Sequence, residues 1–410
     1  MADKTILVVG TWDTKDDELG YMTQVIRGQG GGVVTMDVSV LGDPAAPCDW
    51  SKHDVAEAGG SSIQTAIDSG DENTAMQIMA EGAAALALRL YREGAFDGVV
   101  VLGGSMGTDL ALDLAQALPL GVPKYVVSTV SFSAMLPPER LAADIQMILW
   151  AGGLYGLNSI CKAALSQAAG AVLGAARAVE KPDLTKPLIG MTSFGKTVLR
   201  YMVSLKPALE ERGFEVAVFH ATGMGGRAFE SLAADGVFAG VMDFAPQEVG
   251  NHIMGSSISA GPDRMTNAGK AGIPQIVAPG CYDLVDFVGW QDPPARVAGQ
   301  EVHAHNRLLS SVMMTPDQRR EMARAMCVRL AEAKGPVVLL LPLQGCNEWD
   351  RPGGPLCDAD GLADFIDEVR ARCPDNVALR EIGCHINDPA FSTAALEVVD
   401  AWIAQGTLPR

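Results

Sequence analysis

The sequence predicts an α/β protein made of two doubly wound, Rossmann-like domains with mostly parallel sheets. Three observations carry that prediction. Short apolar runs bounded by glycine or polar clusters alternate with longer helical patterns, as in parallel β/α units covered on both faces. The 410 residues are enough for two or three domains at roughly 150 residues each. A charged, proline-bearing segment, Glu180-Lys181-Pro182-Asp183-Leu184-Thr185-Lys186-Pro187, follows an alanine-rich helix and precedes a fresh strand. It puts the boundary near residue 184, with domains 1–184 and 185–410.

In the first half, residues 5–9, 33–38, 98–102, 124–128 and 145–149 read as strands, because they are apolar runs too short for helices. Helices are expected over 16–27, 74–93 and 108–117. Residues 156–179 form an alanine-rich helix whose Ala163, Ala164, Ala168, Ala169, Ala171, Ala175 and Ala176 permit close approach of another backbone. That pattern suits an interdomain contact, a dimer contact or an ordinary buried helix. In the second half, strands over 187–191, 215–220, 236–243, 275–278, 337–342 and 378–382 alternate with helices that include 198–212, 316–333, 362–372 and 390–403.

Composition narrows the function. Lys plus Arg is 31 against 49 for Asp plus Glu, and the net charge of −18 argues against a broad nucleic-acid or anionic-membrane surface. The start lacks the pattern of a signal peptide, so a cytoplasmic protein is expected. The longest helix-like apolar stretch, between Lys162 and Arg177, has 14 residues, short of the ~20 that a membrane span needs. Eight cysteines are scattered without a C-x-x-C pair, which speaks for reduced thiols rather than a disulfide framework or structural zinc.

Ligands of doubly wound sheets bind beyond the carboxyl ends of the strands, and those loops are polar here. Gly10-Thr11-Trp12-Asp13-Thr14-Lys15 offers a tight turn, hydroxyls and one cation, although the P-loop spacing is absent. Gly103-Gly104-Ser105-Met106-Gly107-Thr108 is the stronger signal, since three glycines and a following helix N-terminus favour close approach of an anion. Ser128, after the next strand, would complete the cradle, and Asp37 stands where such sheets carry a ribose-binding carboxylate. A plain capped turn and a solvated aspartate are the alternatives.

The second half has a comparable turn, His220-Ala221-Thr222-Gly223-Met224-Gly225-Gly226-Arg227. His220 and His385 are candidates for proton transfer, with Glu248 to orient the imidazole or hold a metal. Arg264 would clamp a carboxylate or phosphate through its planar fork. Thr222, Gly225, Gly226, His305 and Asn306 are expected to bind substrate, while His303 and His305 leave metal binding and simple packing open. Asp243, Asp283, Asp286, Asp350 and Asp388 are further polar groups near strand ends. Cys384 and His385 are not read as a nucleophilic dyad, because neighbours on an extended strand point to opposite faces.

Taken together, these motifs resemble the tobamovirus-resistance-protein-like ATP-binding family. The resemblance rests on Gly10 to Lys15 with Glu18-Leu19, on Gly103 to Thr108, Phe219 to Gly226, Ala260 to Arg264, His305-Asn306, Pro352-Gly-Gly-Pro355 and His385 to Phe391. It implies two Rossmann-like subdomains, Mg-ATP held by the first, and a homodimer. The chain departs from the family pattern at Gly153 to Asn158, at Ala245-Pro246-Gln247 and at Arg307, which fits a distinct substrate. The expected function is therefore an ATP-binding protein acting as an enzyme on a small anionic metabolite in a cleft between the domains. A nucleotide-independent lyase or hydrolase cleaving a C–C bond of an oxo-acid, and an ATP-gated partner-binding protein, are the alternatives.

Overall fold

The computed structural model describes residues 4–183, 185–195 and 200–409 and divides into two units, Met1–Pro182 and Asp183–Arg410. Residue 184, and the expected helix start at 198, lie outside the described residues.

The first unit holds β1 (Thr5–Gly10), β2 (Gly32–Asp37), β3 (Gly98–Gly103), β4 (Lys124–Ser128) and β5 (Ile145–Leu149) in one parallel sheet of order β2-β1-β3-β4-β5. Its helices are α1 (Asp16–Gly28), α2 (Lys52–Ala58), α3 (Ile63–Asp68), α4 (Glu72–Arg92), α5 (Ser105–Ala117) and α6 (Ser159–Ala178). Successive strand residues serve opposite faces. Leu7, Val9, Val99 and Val101 pack with α2 to α5, while Ile6, Val8, Val100 and Leu102 pack with α1 and α6. Both faces are covered, which is why the strands are continuous apolar runs rather than alternating ones.

At 20 residues, α6 is longer than the uninterrupted apolar stretch and meets the length and hydropathy of a membrane span. It is used otherwise, because Cys161, Leu165, Ala168, Ala169, Val172, Leu173 and Ala176 are buried in the first unit's own core. Several of its alanines thus bring α6 close to α1 and the sheet.

The second unit repeats the winding with β6 (Leu188–Ser193), α7 (Arg200–Glu211), β7 (Glu215–His220), α8 (Met224–Ala234), β8 (Gly240–Asp243), α9 (Gln247–Met254), α10 (Asn267–Lys270) and β9 (Gln275–Val277). After an insertion come α11 (Pro316–Ala331), β13 (Val337–Pro342), α12 (Ala359–Arg372), β14 (Val377–Ile382) and α13 (Pro389–Gln405). The parallel sheet has the order β7-β6-β8-β9-β13-β14, so the second strand again sits outside the first. The insertion is an antiparallel sheet of β10 (Leu284–Val288), β11 (Val302–Ala304) and β12 (Leu309–Met313) in the order β10-β12-β11. It was not among the expected strands.

This 2-1-3-4-5 order reverses direction between β1 and β3 in one unit and between β6 and β8 in the other. The gap beyond those strand ends is where doubly wound sheets take ligands.

Candidate functional site

In the first unit a cavity of about 630 Å³ opens at the β1/β3 reversal. Thr11, Thr14, Lys15, Gly103, Gly104, Ser105 and Gly107 line one part of its wall, and Val38, Val40, Leu41, Ile67, Met76 and Met106 another. A donor-rich wall and an apolar wall thus share one space.

The donors come chiefly from α5. Its N-cap is Gly104, which has no side chain to occupy the first-turn N–H groups, and its first turn carries no acid. These are the conditions under which helix amides bind an external anion. By contrast, α1 has Asp16, Asp17 and Glu18 in its first turn, so its own carboxylates answer the dipole. What α1 adds is Lys15, whose ammonium lies 5.2 Å from the exposed ring of Tyr155. A Cβ on Gly103 would come within 2.6 Å of the Gly107 Cα, so glycine at 103 closes the turn, whereas one on Gly104 meets only Thr129 Oγ1 at 3.8 Å.

Three expected cofactor contacts have other work. The Thr108 hydroxyl is buried, donates to the Gly104 carbonyl at 2.7 Å and lies 2.6 Å from Ser128 Oγ. Ser128 in turn accepts the Val130 N–H. Both residues brace the turn without lining the cavity. Gly10 is a close-packing position, since a Cβ there would press on Leu19 at 2.8 Å. Asp37 is also consumed: it is buried and its Oδ1 accepts from Trp12 N–H, Ser39 N–H and Ser39 Oγ.

The glycine turn of the second unit is filled by the chain itself. Glu248, reaching from α9, accepts the Gly223 N–H at 2.5 Å and the Gly226 N–H at 3.2 Å. A Cβ on Gly226 would overlap that carboxylate, and one on Gly225 would overlap the His220 carbonyl. The glycines here serve internal contact, in place of the substrate binding expected of them.

Arg264 is fully buried and does not clamp a ligand. All five N–H groups are engaged: Nε with Glu248, Nη1 with Asp243 and Glu230, Nη2 with Asp243 and the Ala245 carbonyl, at 2.5 to 3.2 Å. Met265, held left-handed at φ 69°, turns the chain so that its N–H reaches Glu230 beside the guanidinium. Burial pushes the Glu248 carboxyl up to about 7, partly offset by Arg264. Glu248 and Arg264 therefore act as a structural network, not as catalyst and clamp.

His385 is buried with both ring nitrogens engaged. Nε2 lies 2.8 Å from the Asn347 carbonyl and 2.9 Å from Asp350, while Nδ1 accepts the Asn387 N–H at 3.0 Å. These partners fix the neutral Nε2–H tautomer and leave no lone pair for a substrate. Asn306 is likewise spent on the hairpin turn, where its Oδ1 accepts the Leu308 and Leu309 N–H groups.

His220, Thr222 and His305 remain open. Thr222 Oγ1 is 3.2 Å from His220 Nδ1, and partial burial, reinforced by nearby His305, lowers the His220 pKa below its ordinary value. His305 also lies within electrostatic reach of Asp286, whose carboxyl burial raises to about 6 against the hydrogen bonds of Ser311 and Asn251. An accessible imidazole that is neutral at physiological pH can accept a proton. No group of three or more metal-ligating side chains occurs among the described residues. Sequence reasoning missed Glu230, and it missed the apolar wall, whose Ile67 comes from α3, a helix it did not expect.

Comparison with known proteins agrees with the two-unit division. The N-terminal domain of the uncharacterised protein family UPF0261 is matched over residues 4–181 and its C-terminal domain over residues 186–403. A UPF0261 protein of Brucella melitensis is 55% identical over 405 residues, covering 99% of this chain and 97% of the relative. One from Clostridium tetani is 34% identical over 395 residues, covering 96% and 97%. The ToMV resistance protein Tm-1(GCR237) of Solanum lycopersicum is 28% identical over 417 residues, covering 96% of this chain but 55% of that protein. The chain belongs to the UPF0261 family.

Proposed function

We propose that the chain is a nucleotide-binding protein that takes Mg-ATP in the first unit. The observation that supports this most is the uncapped, acid-free N-terminus of α5, which opens on a cavity with Lys15 on its wall and an apolar surface sharing the same space. The amides and the ammonium suit phosphates, and Val40, Ile67 and Met76 suit the face of a base. With no three-ligand cage among the described residues, Mg²⁺ would be held largely by the phosphates, as that ion prefers.

The second unit supplies the proton-transfer group of an enzyme acting on a small metabolite. His220 is accessible, oriented by Thr222 and biased toward its neutral form. The chain functions as a homodimer in this reading, which rests on family likeness alone. Calorimetric titration of Mg-ATP should show one site per chain, and Lys15→Ala should weaken it by about 1 to 3 kcal/mol, the scale of a charge-assisted contact. Absence of binding to metal-replete wild type would overturn the proposal.

A further inference from the structure

We infer that Leu41 makes the first unit's cavity rank nucleotides by the apolar area of their bases, favouring purines over pyrimidines. This rests on the nucleotide reading above. Leu41 stands on the cavity wall yet is 79% exposed, beside buried Val38 and Met76 of the same wall. The loop that carries it is pinned. Buried Lys52, at the start of α2, donates to the Leu41 carbonyl at 3.4 Å and the Gly42 carbonyl at 2.8 Å, and pairs with Asp43 at 2.9 Å. The Gly42 N–H reaches Asp13 at 3.2 Å, and a Cβ on Gly42 would come within 2.7 Å of the Asp13 Cβ, so glycine lets the two loops meet. Upstream, Ser39 donates its N–H to Asp37 and accepts the Asp13 N–H at its hydroxyl. A single exposed leucine is ordinary on an open surface. Here its backbone is fixed on both sides, and it shares a cavity wall with Ile67, itself 37% exposed, so the two stay wet until something in the cavity covers them.

The sheet order decides which part of a nucleotide does so. Along β2-β1-β3, the α5 amides follow β3, Lys15 follows β1 and Leu41 follows β2. Phosphates held at α5 leave the base two strand spacings away, about 10 Å along the sheet edge, against the loop after β2. Val40, Leu41 and Ile67 are aliphatic, so they hold a ring by its face and do not read its edge. Asp71, also on the cavity wall, is spent on Thr74 at the start of α4. A purine presents a larger face than a pyrimidine, and the exposed leucine is where the extra area counts.

The test is calorimetry of ATP, CTP and tripolyphosphate, each with Mg²⁺, on the full chain and on Leu41→Ala and Leu41→Met. Wild type should bind ATP about tenfold more tightly than CTP, and CTP more tightly than tripolyphosphate. Leu41→Ala should weaken ATP about fivefold or more and leave tripolyphosphate within about twofold, which also shows that the loop is intact. Leu41→Met, a swap of similar volume, should stay near wild type. Equal affinity of wild type for ATP and CTP, or for ATP and tripolyphosphate, overturns the inference, as does ATP binding that Leu41→Ala leaves unchanged. So does equal weakening of ATP and tripolyphosphate, which would put Leu41 on the phosphate path. Failure of wild type to bind any of the three overturns the nucleotide reading itself.

Discussion

The two glycine turns, Gly103 to Gly107 in the first unit and Gly223 to Gly226 in the second, look alike in sequence and differ in what occupies them. Behind Gly104 the first-turn amides of α5 have no side-chain cap and open on a cavity. At α8 the equivalent amides are bonded to Glu248, itself anchored to Arg264. At α8 the chain's own carboxylate meets the helix N-terminus, and at α5 the phosphates of the proposed nucleotide would do so. A glycine-rich strand-to-helix turn therefore marks an anion position without saying whose anion it is.

The largest effect should come from the filled turn. Arg264→Ala leaves Asp243, Glu230 and Glu248 buried without their cation, and loss of one partner from such a network costs about 3 to 5 kcal/mol. Urea unfolding should show it, with Mg-ATP affinity per folded chain unchanged. An Arg264→Ala protein of wild-type stability would break the assignment of that network to the fold.

Alanine at matched glycines sharpens the contrast. Gly226→Ala forces a methyl into the Glu248 carboxylate and should destabilise by about 1 to 3 kcal/mol, the usual cost of overpacking. Gly104→Ala, whose φ of −75° suits any residue and whose methyl meets only Thr129, should leave stability within about 0.5 kcal/mol. Its effect should appear in weakened nucleotide binding. Equal melting temperatures for the two variants would remove the distinction.

The fold was legible where burial is apolar on both faces. β3 and β13 are nearly continuous branched-aliphatic runs, and the structure places them where the pattern did. β10 was not, because Leu284-Val-Asp-Phe-Val288 interrupts its apolar run with a buried Asp286 whose hydrogen bonds come from tertiary contact with Ser311 and Asn251. α9 hid for a similar reason: its buried positions include Gln247, Glu248 and Asn251, which a hydrophobic period cannot mark. Of the site, Thr11, Thr14, Lys15 and Gly104 could be read locally, since a turn and a helix start are local features. Arg264 could not, because its three carboxylates arrive from three separate segments, and an arginine after a turn looks the same whether it faces solvent or acids.

A smaller effect concerns pH. The folded state raises the Asp286 carboxyl from 3.8 to about 6, so it binds a proton more tightly than the unfolded chain does. Its stabilising contribution is complete below about pH 4 and is lost as pH rises toward 6. Asp286→Asn, which stays neutral, should match wild type near pH 4 and exceed its stability at pH 8 by about 1 to 3 kcal/mol. Chemical unfolding at the two pH values checks this, and a variant weaker at both would place the Asp286 charge among the stabilising groups.

Amide hydrogen exchange tests the open-against-filled distinction most directly. Without nucleotide, the Gly223 and Gly226 amides, bonded to Glu248, should exchange slowly, and those of Ser105, Met106 and Gly107 fast. Saturating Mg-ATP should slow the Ser105 to Gly107 amides and leave Gly223 and Gly226 as they were. Protection appearing at Gly223 and Gly226, or none appearing at Ser105 to Gly107, would contradict the account.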